Sequence, residues 1–154
     1  MIAEGQSAPD FEGSTEDGRR IALSDFRGKQ ALVLYFYPKD ATPGCTKEAC
    51  SFRDHRAEIE RLGAEIVGVS MDSAESHRKF VAAQRLNFPL LADTDGRIAS
   101  AYGVTRLGGW IPFLPVKRVT FVIDRDGVVR RVIQSELSMD AHVDGAIDAL
   151  RGLR

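Results

Sequence analysis

Apolar and polar positions change period several times along the chain, and each change predicts an element. Ala31 to Tyr37 is almost entirely apolar, the pattern of a central strand covered on both faces. From about Pro43 to Leu62 the apolar residues Cys45, Ala49, Phe52, Ile59 and Leu62 recur at helical spacing on one stripe, and Gly63 stops the run. Pro43 suits a first helical position. Glu65 to Ser70 reads as a second strand. Asp72 with Glu75 three residues later signals a second helix, running to about Leu86. Phe88 to Ala92 is a short extended piece, and Asp95 to Tyr102 a short helix ended by Gly103. Lys117 to Ile123 is a strand, Asp126-Gly127 turns the chain, and Val128 to Ile133 returns as its hairpin partner. Ser138 caps a last helix with the stripe Val143, Ile147 and Leu150.

The first thirty residues are rich in turn formers. Pro9 biases Ala8 toward extended backbone. Asp17-Gly18 predicts a hairpin turn before a short strand at Ile21-Ala22-Leu23. Ser24 to Gly28 reads as a helical turn closed by glycine. Between Arg106 and Pro115 the sequence Trp110-Ile111-Pro112-Phe113-Leu114-Pro115 carries two prolines, which forbid a regular central strand and predict an apolar loop. The order strand–helix–strand–helix, hairpin, helix predicts an α/β protein: a central mixed β-sheet flanked by helices, parallel at first and antiparallel at the hairpin. No repeat, linker or low-complexity tract divides residues 1–154, so a single domain is expected.

Composition narrows the function classes. Apolar residues make up 44% and charged residues 28% of the 154 positions, as in ordinary water-soluble domains. With a formal net charge of −1 and no basic stripe, nucleic acid and anionic membrane are poor partners. No apolar run approaches the length of a bilayer span, and Met1 to Gly5 lacks the regions of a signal peptide. A cytoplasmic protein is expected. In that reducing compartment a two-cysteine chain is better suited to redox chemistry than to a structural disulfide.

Both cysteines lie in one stretch, Pro38-Lys39-Asp40-Ala41-Thr42-Pro43-Gly44-Cys45-Thr46-Lys47-Glu48-Ala49-Cys50. Cys45 falls where a strand gives way to a helix. The first N–H groups of a helix have no internal partner and carry partial positive charge, so a thiolate there is stabilised. Cys50 follows five residues later. In an ideal α-helix this separates the Cα atoms by about 8.7 Å, beyond the roughly 7 Å limit for a disulfide. Any bond between them requires the first turns to unwind.

This stretch resembles the active site of the peroxiredoxins, in particular the bacterioferritin-comigratory or peroxiredoxin Q type. Pro38, Thr42 and Cys45 match the family pattern of Pro, any three, Thr, any two, Cys, and Thr42 to Cys50 reads as Q-type sites do. Ala8-Pro9-Asp10-Phe11 and Arg118 to Asp124 are similar to the family's opening and its late strand, so the resemblance spans nearly the whole chain. It implies a thioredoxin-like fold and the reduction of hydrogen peroxide and organic hydroperoxides. Carried over, Cys45 is the peroxidatic cysteine and Cys50 the resolving one. Thr42 and Arg118 activate thiol and peroxide, and Pro38 shields the site. Glu48, in the same first turn, would hold an arginine through a charge-assisted pair. A dithiol such as thioredoxin recycles the disulfide, and no metal, haem or flavin is required.

Competing readings attach to several residues. Cys45 could be an inert buried thiol, Cys50 a bystander and Thr42 simply a helix cap. Lys117 and Arg131 compete with Arg118 for the arginine role. His55, His77 and His142 read as surface helix residues. A zinc site is disfavoured by a lone cysteine pair with no histidine cluster. A thioredoxin-type oxidoreductase would carry Cys-any two-Cys, unlike the gap here. A non-catalytic binder or holdase using the Trp110 region is the reading from another class. One apolar loop on one domain is compatible with a monomer or a weak dimer.

Overall fold

In the computed structural model, which describes residues 1–106 and 115–153, the chain alternates strands and helices in the order predicted. An N-terminal hairpin pairs β1 (Glu12–Ser14) with β2 (Arg20–Ala22) antiparallel. A short 3-10 turn, Leu23–Asp25, follows. The main sheet holds β3 (Ala31–Phe36), β4 (Ala64–Ser70), β5 (Leu90–Ala92), β6 (Val119–Ile123) and β7 (Val129–Gln134). Its spatial order is β5-β4-β3-β6-β7. The strands β3, β4 and β5 run parallel, whereas β6 is antiparallel to β3 and to β7. The sheet is therefore mixed as expected. The helices are α1 (Pro43–Arg61), α2 (Ala74–Gln84), α3 (Arg97–Tyr102) and α4 (Met139–Gly152).

β3 is the hub because every one of its side chains is buried. Successive residues point to opposite faces. Leu32, Leu34 and Phe36 join the core beneath α3 and the N-terminal segment, with Phe11, Ile98 and Tyr102. Ala31, Val33 and Tyr35 join the core beneath α1, α2 and α4, with Phe52, Phe80 and Val143. Two apolar layers on one strand explain its uninterrupted hydrophobic run.

α3 begins at Arg97 rather than Asp95, and both ends of α2 differ from the sequence pattern. Ser73, not Asp72, caps α2, its hydroxyl accepting from Ser76 N at 3.1 Å. Asp72 is engaged elsewhere: its carboxylate accepts from Asp40 N at 2.8 Å and from Ser70 Oγ at 2.6 Å. The helix stops at Gln84, short of Leu86, because Arg85 takes left-handed backbone with φ 53°. The apolar loop expected around Trp110 lies outside the described residues. Among the described residues no helix is long and apolar enough to cross a membrane.

Candidate active site

The site forms where the C-terminal ends of β3 and β4 meet the start of α1. Such ends of parallel strands open a crevice that neighbouring loops can fill with chemistry. Tyr37 and Pro38, just past β3, are buried. Thr42 occupies the N-cap position of α1, but its side chain makes no capping bond. Its hydroxyl instead donates to Lys39 O at 2.9 Å. Cys45 sits in the first helical turn, 1% exposed and with a free thiol. Cys50 lies farther along the same continuous helix, partly exposed and also free.

Strand order delivers the arginine. Val119 at the start of β6 pairs with Phe36 near the end of β3, so Arg118 emerges beside the chain that leads into α1. Its Nη2 donates to Cys45 Sγ at 3.3 Å, and its Nη1 donates to Glu48 Oε1 at 2.8 Å. Gly44 makes room for this approach, since a Cβ there would lie 3.2 Å from Nη2. Among the described residues Arg118, rather than Lys117 or Arg131, donates to the sulfur, and Arg131 pairs with Asp148 at 3.2 Å. Burial works against the Arg118 charge, but the Glu48 carboxylate and the Cys45 sulfur outweigh it and hold the guanidinium above its ordinary value. For Glu48, burial dominates: despite Arg118, its carboxyl is pushed up to about 7.

Behind Glu48 stands His142, which the sequence pattern placed on the surface but which is fully buried. Its Nε2 lies 2.8 Å from Ser135 O, a pure acceptor, so Nε2 carries the proton. Nδ1 then accepts from the Thr120 hydroxyl at 2.8 Å. Burial, and after it the Arg118 charge, hold His142 below the usual imidazole value. Glu48 Oε2 is 3.6 Å from His142 Nδ1 and has no hydrogen-bond partner among the described residues.

His77 departs from the sequence pattern in the same way. It too is fully buried. Its Nδ1 donates to Asp40 Oδ2 at 2.6 Å and its Nε2 to Leu91 O at 3.0 Å. Asp40 also accepts from Tyr37 Oη at 2.6 Å and Ser76 Oγ at 2.9 Å. Burial opposes protonation of His77, but Asp40 overcomes it and raises the ring above its ordinary value. Ligand atoms of Asp40, Asp72 and His77 lie within 4.8 Å of one another. With Nδ1 protonated toward Asp40, the ring offers no lone pair there for a metal. Only His55 stays near the surface, its Nδ1 2.8 Å from Ser51 O.

A signal for both buried histidines exists in the sequence. His142 falls on the α4 stripe one turn after Met139 and one before Ala146, and His77 lies one turn before Phe80. Periodicity thus marks both as buried, and it was the polar residue type that argued otherwise. Asp40, whose partners are mostly remote in sequence, had no such signal.

Comparison with known proteins identifies the family. The sequence matches the AhpC/TSA family over residues 4–132. A putative peroxiredoxin of Mycobacterium tuberculosis is 45% identical over 150 residues, 97% of each chain. The crystal structure of peroxidoxin BcpB from Mycobacterium tuberculosis superposes with a TM-score of 0.93 at 44% identity, covering 100% of this chain and 99% of that one. A Xanthomonas campestris bacterioferritin comigratory protein, described for its alkyl peroxide reduction activity, gives a TM-score of 0.85 at 34% identity over 93% of this chain and 91% of its own. The fold is thioredoxin-like, and the chain belongs to the AhpC/TSA family as a thiol-dependent peroxidase of the peroxiredoxin Q type.

Proposed function

We propose that Cys45 is the peroxidatic thiol of a cycle that reduces hydrogen peroxide and organic hydroperoxides. The observation that carries this reading is the Arg118 guanidinium, 3.3 Å from the Cys45 sulfur and anchored by Glu48. The nucleophile is the thiolate form of cysteine, and a fixed cation at the sulfur is a partner for its charge. The thiolate attacks the distal peroxide oxygen. An S–O bond forms, the O–O bond breaks, and the leaving oxygen takes a proton to depart as water or alcohol. Charge moves onto the peroxide oxygens as this happens, and Arg118 is a preorganised donor for it. The Thr42 proton already goes to Lys39 O, so its hydroxyl is suited to accept the peroxide O–H rather than to donate. Buried Pro38 shields the sulfur from solvent.

Cys50 then resolves the sulfenic acid. Both cysteines stand in intact helix, so the first turns of α1 unwind before the disulfide closes. An external dithiol, thioredoxin in our reading, reduces it by thiol–disulfide exchange. The protein would act in the cytoplasm, as one domain, without metal, haem or flavin.

Peroxide consumption coupled to a thioredoxin system tests the cycle. Cys45→Ser is expected to abolish it. Cys50→Ser is expected to keep the first oxidation and lose turnover with thioredoxin. Equal activity of Cys45→Ser and wild type would end this reading, and oxidised wild type lacking a Cys45–Cys50 disulfide by mass spectrometry would remove Cys50 from it.

A further inference from the structure

Cys50 does not stand free on α1. Its thiol donates to Gln84 Oε1 at 3.4 Å. Gln84 is the last residue of α2, where backbone carbonyls lack intrahelical partners. Its own carbonyl accepts from Arg53 Nη1 at 2.6 Å, a cation at the negative end of the helix. Asn87, three residues beyond Gln84, donates through Nδ2 to Arg53 O at 3.3 Å. One residue of α2 therefore grips two positions of α1 that are one turn apart, the first with its side chain and the second with its backbone. On the other side of Cys50, Cys45 and Glu48 are tied to Arg118. The segment that must unwind for a Cys45–Cys50 disulfide is pinned at both ends.

We propose that Gln84 is a positioning residue that latches the resolving thiol and limits the rate at which the Cys45–Cys50 disulfide forms. The inference rests on the reading of Cys50 as the resolving cysteine. The S–H···O bond must break before Cys50 can leave α2. Arg53 is different, because its charge remains beside the sulfur when the amide lets go. The Asp54 hydrogen bond and, after it, the Cys50 sulfur raise Arg53 above its ordinary value.

Once released, the Cys50 thiolate attacks the sulfur of the Cys45 sulfenic acid. An S–S bond forms and the S–O bond breaks. Hydroxide leaves and takes up the proton that Cys50 gave away, departing as water, so no outside oxidant or reductant enters the step. A latch that slows this step lengthens the life of the sulfenic acid. A second peroxide can then carry it to sulfinic acid, which leaves the cycle.

The test uses reduced full-length protein, with wild type beside Gln84→Met, which keeps length and loses the acceptor, and Gln84→Ala. One equivalent of hydrogen peroxide is mixed in, the reaction is quenched with acid, and thiols are alkylated for mass spectrometry. This separates the rate of Cys45 oxidation from the rate of disulfide formation. The Gln84 variants are expected to oxidise Cys45 at the wild-type rate and close the disulfide about twofold to tenfold faster, the range of one neutral hydrogen bond. In excess peroxide they should collect less sulfinic acid. A disulfide rate that is unchanged or slower, or an equal change in both steps, overturns the latch. If wild type forms no Cys45–Cys50 disulfide at all, the resolving role falls and the latch falls with it. A disulfide that forms equally fast in all three proteins removes the latch alone.

Discussion

Two buried acid–base clusters bracket the start of α1. They differ in how completely their atoms are paired. In the Asp40–His77 cluster both carboxylate oxygens and both ring nitrogens are engaged, with Tyr37, Ser76 and Leu91 completing the set. In the Glu48–Arg118–His142 cluster, Glu48 Oε2 and Arg118 Nε are buried with no hydrogen-bond partner among the described residues. The histidines register the contrast. Burial opposes the charge on both rings; at His77 the hydrogen-bonded Asp40 carboxylate overcomes it and holds the ring above its ordinary value, while at His142 burial prevails, the Arg118 charge adds to it, and the ring is held below. A closed cluster lowers the energy of one arrangement and fixes the loop that carries Ala41, whose φ of 63° is strained for a non-glycine residue. An open cluster leaves donor and acceptor capacity for a reacting molecule. Pairing completeness thus separates the anchor from the proposed site of chemistry, although the clusters lie at opposite ends of one short loop and turn.

The comparison breaks most visibly at His77. His77→Ala leaves the buried Asp40 carboxylate without its ring partner, and breaking a buried pair costs about 3–5 kcal/mol. Urea unfolding should show that loss, and a loss under about 1 kcal/mol would mean the cluster is not an anchor. Arg118→Met should do the reverse. Peroxide reduction is expected to fall about 10²- to 10³-fold, the scale of one lost transition-state donor. Stability should change far less than in His77→Ala, because Glu48, already near neutrality, can take a proton. Stopped-flow oxidation and urea unfolding on one preparation check both halves.

Glu48→Gln sharpens the difference through pH. The Glu48 carboxyl sits at about 7 in the fold against an ordinary value of 4.5. Between those values the folded chain holds a proton the unfolded chain has released. Its contribution to stability therefore falls as pH rises from about 4.5 to 7 and is level above that. At most this amounts to roughly 3 kcal/mol. His77, also raised, slopes in the same direction: its stability is present below the unfolded imidazole value and lost as pH rises through the folded one. The Glu48 part is isolated as the difference between wild-type and Glu48→Gln urea midpoints across pH 4 to 8. Parallel curves would contradict the burial argument. The smallest effect is expected at Thr42. Thr42→Val should slow Cys45 oxidation about tenfold with little loss of stability, since its hydroxyl makes one neutral bond to Lys39 O. An unchanged rate would take Thr42 out of the site.

Much of the fold was legible because burial has a period. The apolar run of β3, the stripe of α1 and the Asp126-Gly127 turn before β7 are local patterns, and local backbone geometry reads them. Cys45 at the mouth of α1 was legible for the same reason, since Pro43 and the strand before it fix where the helix begins. The polar contacts were not legible from periodicity. Arg118 and Cys45 are 73 residues apart, Asp40 and His77 37, Cys50 and Gln84 34. They meet because β6 inserts beside β3 antiparallel while β4 lies on its other side parallel. Periodicity says which face of an element is buried. It says nothing about which polar group waits on the element across from it, and that choice, made by strand order and register, decides which way a buried histidine's affinity for a proton moves, which arginine reaches the sulfur and what holds the second thiol.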